Sequence, residues 1–178
     1  MPDGDKFPGL HRSWWAVGRA VHGKQDPAMV GSCIEKALAR HLRSDPSLPA
    51  LARAAATVAR SGDPSSVRDV VSREDLQRSP FLRRLGAASS CGPSSDGCEL
   101  VEQTLTRVAQ VQLETLRPVL LRDDVFPTAA SAGGYLRDCL AGVDVDSLAR
   151  QIVDGSPTIR APRRARRGTA EMLHEPLA

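Results

Sequence analysis

Cysteine and histidine are the residues of this chain whose chemistry is most readily put to use. Cys91 and Cys98 bracket Gly-Pro-Ser-Ser-Asp-Gly, so they could close a small disulfide loop or offer two thiolates to zinc. Zinc fingers and ribbons set their cysteines about two to four residues apart, because one tight turn must aim both sulfurs at a tetrahedral ion. The six residues between Cys91 and Cys98 miss that spacing. Plain thiols are therefore expected there, and Cys33 and Cys139 fall on apolar faces of candidate helices and read as core.

His11, His22, His41 and His174 carry side chains that titrate near neutrality and so suit general acid or base work. Their spacing forms no H-E-x-x-H, and neither a G-x-S-x-G elbow nor a family-specific cysteine signature accompanies them. They are expected as surface or capping side chains. Asp123 with Asp124, Asp144 with Asp146, and Glu99 with Glu102 could hold a divalent ion or share a proton. Each pair also lies where turns and first helical turns ordinarily place acids. No glycine-rich phosphate loop is present. No catalytic residue, metal or cofactor is expected from these patterns.

Charge gives a sharper signal. Up to Ile159 basic and acidic residues are equal in number, so the body is formally neutral. Beyond it Arg160, Arg163, Arg164, Arg166 and Arg167 face only Glu171 and Glu175, which accounts for the whole net charge of +3. Five guanidinium groups can make bidentate phosphate contacts, and full neutralisation would give a log K against log salt slope of about −4 to −5. No aromatic residue lies between these arginines, so the stacking platform of a single-strand binder is missing. After them, Thr169 to Leu177 could form one helical turn presenting Met172 and Leu173 as a docking peptide. Trp14 and Trp15 are adjacent, about 100° apart on a helix, so both cannot face one narrow stripe. One anchors the core, and Trp15 is the candidate for an interface, where tryptophan is enriched.

These residues need a scaffold, and the punctuation of the chain supplies short helices. Leu10, Trp14, Val17 and Val21 share one face of a helix, and Asp26-Pro27 opens a second that carries Val30, Ile34, Leu38 and Leu42. Leu48 to Arg60 is alanine-rich and stops at Ser61-Gly62. Asp63-Pro64, Ser72 with Asp75, and Ser79-Pro80 each cap a short piece. The pieces between Ser65 and Leu85 carry Arg68, Arg73, Arg78, Arg83 and Arg84 in a helix-turn-helix outline, but the turn has no glycine and Asp69, Glu74 and Asp75 offset the charge. They read as a solvated face.

Residues 86–97 are small and polar and mark a hinge loop. The longest helix should run from Cys98 to Arg117, with Pro118 ending it, and form the centre of the fold. Val119 to Leu121 reads as an apolar stretch, Thr128 caps a helix weakened by Gly133-Gly134 by about 1 kcal/mol per glycine, and Asp146 to Val153 is the last helix. Period-two alternation is absent, so strands are not expected.

The fold class expected is all-α: one compact bundle of about six to eight short helices over residues 10–155. Residues 1–9 are expected to be disordered, and residues 156–178 to form a flexible Arg-rich arm. The chain holds 21 Arg against three Lys, a usage typical of GC-rich bacterial genomes. No apolar run nears the roughly 18 residues of a membrane span and the N-terminus has no signal-like apolar region, so a cytoplasmic location is expected. The leading functional expectation is a non-enzymatic adaptor or accessory subunit that contacts a larger protein partner. The alternative is a nucleic-acid-associated factor binding phosphate through the arginine tail, as in a component of an antiviral defence system.

Overall fold

A computed structural model describes residues 3–87 and 98–163. Its elements, in chain order, are α1 (Asp3–Lys6), a 3-10 turn at Arg12–Trp14, α2 (Trp15–His22), α3 (Pro27–Ser44), α4 (Leu48–Ser61), a 3-10 turn at Pro64–Ser66, α5 (Val67–Val70), α6 (Arg73–Arg78), α7 (Pro80–Ala87), α8 (Cys98–Glu114), α9 (Arg117–Arg122), α10 (Ala129–Ala141) and α11 (Asp146–Val153). No strand occurs among the described residues.

The caps act where the sequence puts them. The Asp26 carboxylate accepts from the Ala28 amide ahead of Pro27 and opens α3. Gly62 ends α4 with a φ of 66°, a left-handed conformation that costs a residue without Cβ little, and its N–H returns to the Val58 carbonyl. Ser72 starts α6 by accepting from the Asp75 amide, and Thr128 and Ser131 form a reciprocal capping box on α10. The helix foreseen from Cys98 onwards stops at Glu114, and Val119-Leu120-Leu121 belongs to a helix of its own, α9, with Pro118 in its first turn.

Two long helices organise the core. α8 packs against α7, α11, α4, α10 and α3, and α3 in turn against α2, α10 and the first 3-10 turn. Their inner faces carry Val30, Ile34, Leu38 and Leu42 on α3 and Leu100, Leu105, Val108 and Leu113 on α8, all buried. Each such side chain contributes about 1.5–3 kcal/mol of transfer free energy. With few aromatic rings available, the small residues Ala54, Ala55, Ala109 and Ala149 complete the packing by letting helices approach closely.

Both ends of the bundle extend past the periodic pattern. Ahead of Leu10, in the stretch read as disordered, Phe7 is 1% exposed and its ring lies where a Cβ on Gly18 would come within 3.0 Å. At the other end Ile159 is also buried, and its carbonyl accepts from Arg43 Nη1 at 2.7 Å. Gln151 of α11 clamps Arg160 twice, taking its amide N–H and donating to its carbonyl, both at 2.8 Å. The chain is thus held to the body through Arg160, a few residues beyond the boundary read at Gly155.

Candidate functional site

Two of the histidines, His11 and His41, meet at the joint between the N-terminal segment, α3 and α7. His11 and His41 stack with ring centroids 3.9 Å apart and planes 14° from parallel. His41, 6% exposed, accepts from Trp14 Nε1 through Nδ1 at 3.1 Å. An Nδ1 that accepts leaves the neutral ring its proton on Nε2. His11 Nδ1 accepts from the Ser13 amide and so caps the 3-10 turn, while its own N–H donates to Gln112 Oε1 on α8. Burial, with Arg12 adding repulsion, lowers the His11 pKa, and burial next to His11 pushes His41 down to about 4. Both rings are neutral at pH 7.

Asp45 borders the same cavity of about 500 Å³. Its Oδ1 accepts from the Ser47 amide at 2.8 Å and its Oδ2 from Ser79 Oγ at 2.6 Å. Ser79 Oγ in turn accepts from the Leu82 amide and starts α7. The carboxylate, both Nδ1 atoms and the serine hydroxyl are therefore committed to backbone and side-chain partners. Parallel stacking also aims the two imidazole lone pairs alongside rather than towards one point, which does not suit a shared metal. Among the described residues no group of three or more His, Cys, Asp or Glu side chains is placed to hold a metal ion.

The other sequence candidates fall as follows. His22 Nε2 pairs with Asp123 Oδ2 at 3.0 Å, and Asp123, held mainly by Arg122 and then by His22, has its carboxyl below the usual range. Asp144 caps α11 through the Ser147 amide. Glu102 finds its acidic partner across the helix pair, for burial, a hydrogen bond to Asp146 and the nearby Asp146 and Glu99 charges all raise its pKa. Cys33 and Cys139 are free thiols; Cys139 is buried and, chiefly by burial, pushed up to about 11. Trp14 is wholly buried, whereas Trp15 is half-buried, donating through Nε1 to the Leu10 carbonyl and lying against Gly4. Arg160 and Arg163 are exposed. Cys91, Arg164, Arg166, Arg167, Met172, Leu173 and His174 lie outside the described residues.

Arg83 and Arg84, expected on a solvated face, are joined on the body by Arg107 and Arg137, which no motif in the sequence marked. α7 presents Arg83 and Arg84, α8 presents Arg107, and α10 presents Arg137, all exposed. None of these guanidinium groups lies within ion-pair distance of a described carboxylate; Arg83 donates to the Gln77 carbonyl and Arg107 to Gln110 Oε1. Arg84 and Arg107 line one cavity of about 600 Å³, and Arg107 lines a second of about 480 Å³ with Arg117 and Arg137. The two share Arg107 and Gln110; Glu99 and Glu102 also line the first, and Glu114 the second.

No family model, curated protein or solved structure matches this chain.

Proposed function

We propose that this protein is a non-enzymatic helical accessory subunit of a larger, bacterial multi-protein assembly, and that it works by contact rather than by turnover. The observation that carries this reading is that Arg84 of α7, Arg107 of α8 and Arg137 of α10 stand exposed along two adjoining cavities and, although Glu99, Glu102 and Glu114 line those cavities too, form no ion pair with a described carboxylate. Unpaired surface guanidinium groups steer and orient an acidic partner at little cost to the free fold. The groups best suited to acid or base chemistry support the same reading, because His11, His41 and Asp45 are each committed to capping or packing.

The test is co-purification of the tagged full chain from its host under native conditions. Wild type should elute in an assembly larger than the monomer, and Arg84→Glu with Arg107→Glu should release it. Retention of the same assembly by that charge-reversed chain and by a chain truncated after Ala161 would overturn the proposal.

A second reading is phosphate binding through the arm, favoured by the anchoring of Ile159 and Arg160, which fixes the point from which Arg163 and the following arginines depart. A gel shift whose affinity does not change between low and moderate salt rules it out, since counterion release must accompany such contacts.

A further inference from the structure

Gly133 and Gly134 sit in the interior of α10, where each costs about 1 kcal/mol relative to alanine. The reason lies on the neighbouring helix. The guanidinium of Arg117, at the start of α9, is laid over Gly133 so closely that a Cβ there would be 3.1 Å from Nη2 and 3.5 Å from Cζ. Arg137 folds back over the next step of the same helix, with Nη2 3.9 Å from the Cβ position of Gly134. The bare backbone at Gly133 is a shelf for Arg117, whereas the 3.9 Å at Gly134 is an ordinary contact distance.

The shelf is one wall of a cavity of about 480 Å³. Arg107 of α8 closes it from a third helix, and Leu113, Leu136 and Leu140 provide its apolar lining. Three fixed positive charges face the single carboxylate of Glu114, whose Oε1 takes Arg117 Nη2 at 2.8 Å. Arg117 Nε–H is buried and has no hydrogen-bond partner among the described residues, although the side chain as a whole is 37% exposed. An unpaired buried donor is costly, and an anion in the cavity would offer this one a partner once the side chain turns.

We infer that this cavity binds a phosphomonoester of a small molecule, with the phosphate among Arg107, Arg117 and Arg137 and the rest of the ligand against the leucines. A planar carboxylate matches one or two guanidinium forks, whereas a tetrahedral dianion offers three equivalent oxygens to forks arriving from three helices. The volume suits a nucleotide-sized ligand, and the leucine lining favours a ligand with an apolar or flat body. On binding, the phosphate takes Arg117 from Glu114, and the guanidinium turns enough to bring Nε–H to an oxygen.

Titration calorimetry of the full chain with inorganic phosphate, adenosine monophosphate, adenosine and a short oligothymidylate tests the inference. Adenosine monophosphate should bind, phosphate more weakly, and adenosine not at all. Arg137→Gln and Arg107→Gln change exposed side chains and should leave the melting temperature in place while weakening the nucleotide by about tenfold or more, the loss of one hydrogen bond to a charged group. Gly133→Ala should melt no lower than wild type yet bind more weakly, because the new methyl displaces only the end of a flexible Arg117. The inference fails if adenosine monophosphate gives no heat at millimolar concentration, if its affinity is unchanged in Arg117→Gln and Arg137→Gln, or if the oligothymidylate binds more tightly than the mononucleotide at physiological ionic strength.

Discussion

Acidification through the range between the ordinary histidine value of 6.5 and about 4 should weaken this fold through His41. In the folded chain the ring stays neutral down to about 4, while in the unfolded chain it takes up a proton near 6.5. Between these values the unfolded state holds the extra proton, so stability rises with pH and falls on acidification, by about 1.4 kcal/mol per pH unit. The loss through His41 reaches about 3 kcal/mol, a large part of the roughly 5–15 kcal/mol that holds a domain together. The cause is chiefly burial, which penalises the charged ring, followed by repulsion from the stacked His11; a proton on Nδ1 would also oppose the Trp14 N–H that this nitrogen accepts. His11 is shifted in the same direction and adds to the slope. Asp63 and Asp123, whose carboxyls lie below 3.8, lose their contribution only under more acidic conditions. Glu102 opposes the trend, because a carboxyl raised above 4.5 stabilises the fold as it protonates. Urea unfolding of wild type and His41→Gln at a series of pH values in this window isolates the ring, since every other group titrates in both. The glutamine carbonyl can still accept from Trp14 but takes no proton, so the wild-type slope should flatten in the variant. Parallel slopes for the two proteins would refute the argument.

Two further outcomes follow from packing. Gly18→Ala, which in an open helix would gain about 1 kcal/mol, should instead cost about 1–3 kcal/mol because Phe7 stands 3.0 Å from the added methyl, and thermal melts should show the penalty vanish in a Phe7→Ala background. Ser79→Ala leaves the buried Asp45 Oδ2 and the Leu82 amide without that hydroxyl, so denaturant unfolding should register a loss of about 3 kcal/mol.

The local grammar of this fold was legible from the chain. Asp26-Pro27, Ser61-Gly62, Ser72 with Asp75, Ser79-Pro80 and Thr128 state helix boundaries through short-range hydrogen bonds and fixed dihedrals, and the structure uses each of them. The all-helical class followed from apolar periodicity, since a face repeating every three or four residues can be buried only as a helix. Less legible were the ends. A lone Phe7 has no periodic context, and only the notch left by Gly18 shows why it is buried. The candidate sites were the least legible. Arg107, Arg117 and Arg137 lie far apart along the chain, among acids that balance them in number. The one trace they left was Gly133-Gly134, a weakness in a helix that nothing local required.

By itself, then, the sequence determined where helices begin and end, which faces are apolar, and that the excess formal charge lies after Ile159. Tertiary structure alone decided that His11 and His41 stack as neutral rings, that Glu102 meets Asp146 across two helices, and that arginines from α7, α8, α9 and α10 share one face. The physical reason is range. Caps and periodicity act within a turn or two of helix, whereas imidazole stacking, carboxyl pairing and a guanidinium laid on glycine depend on which helix surfaces come together. That is set by how the whole set of apolar stripes is buried at once.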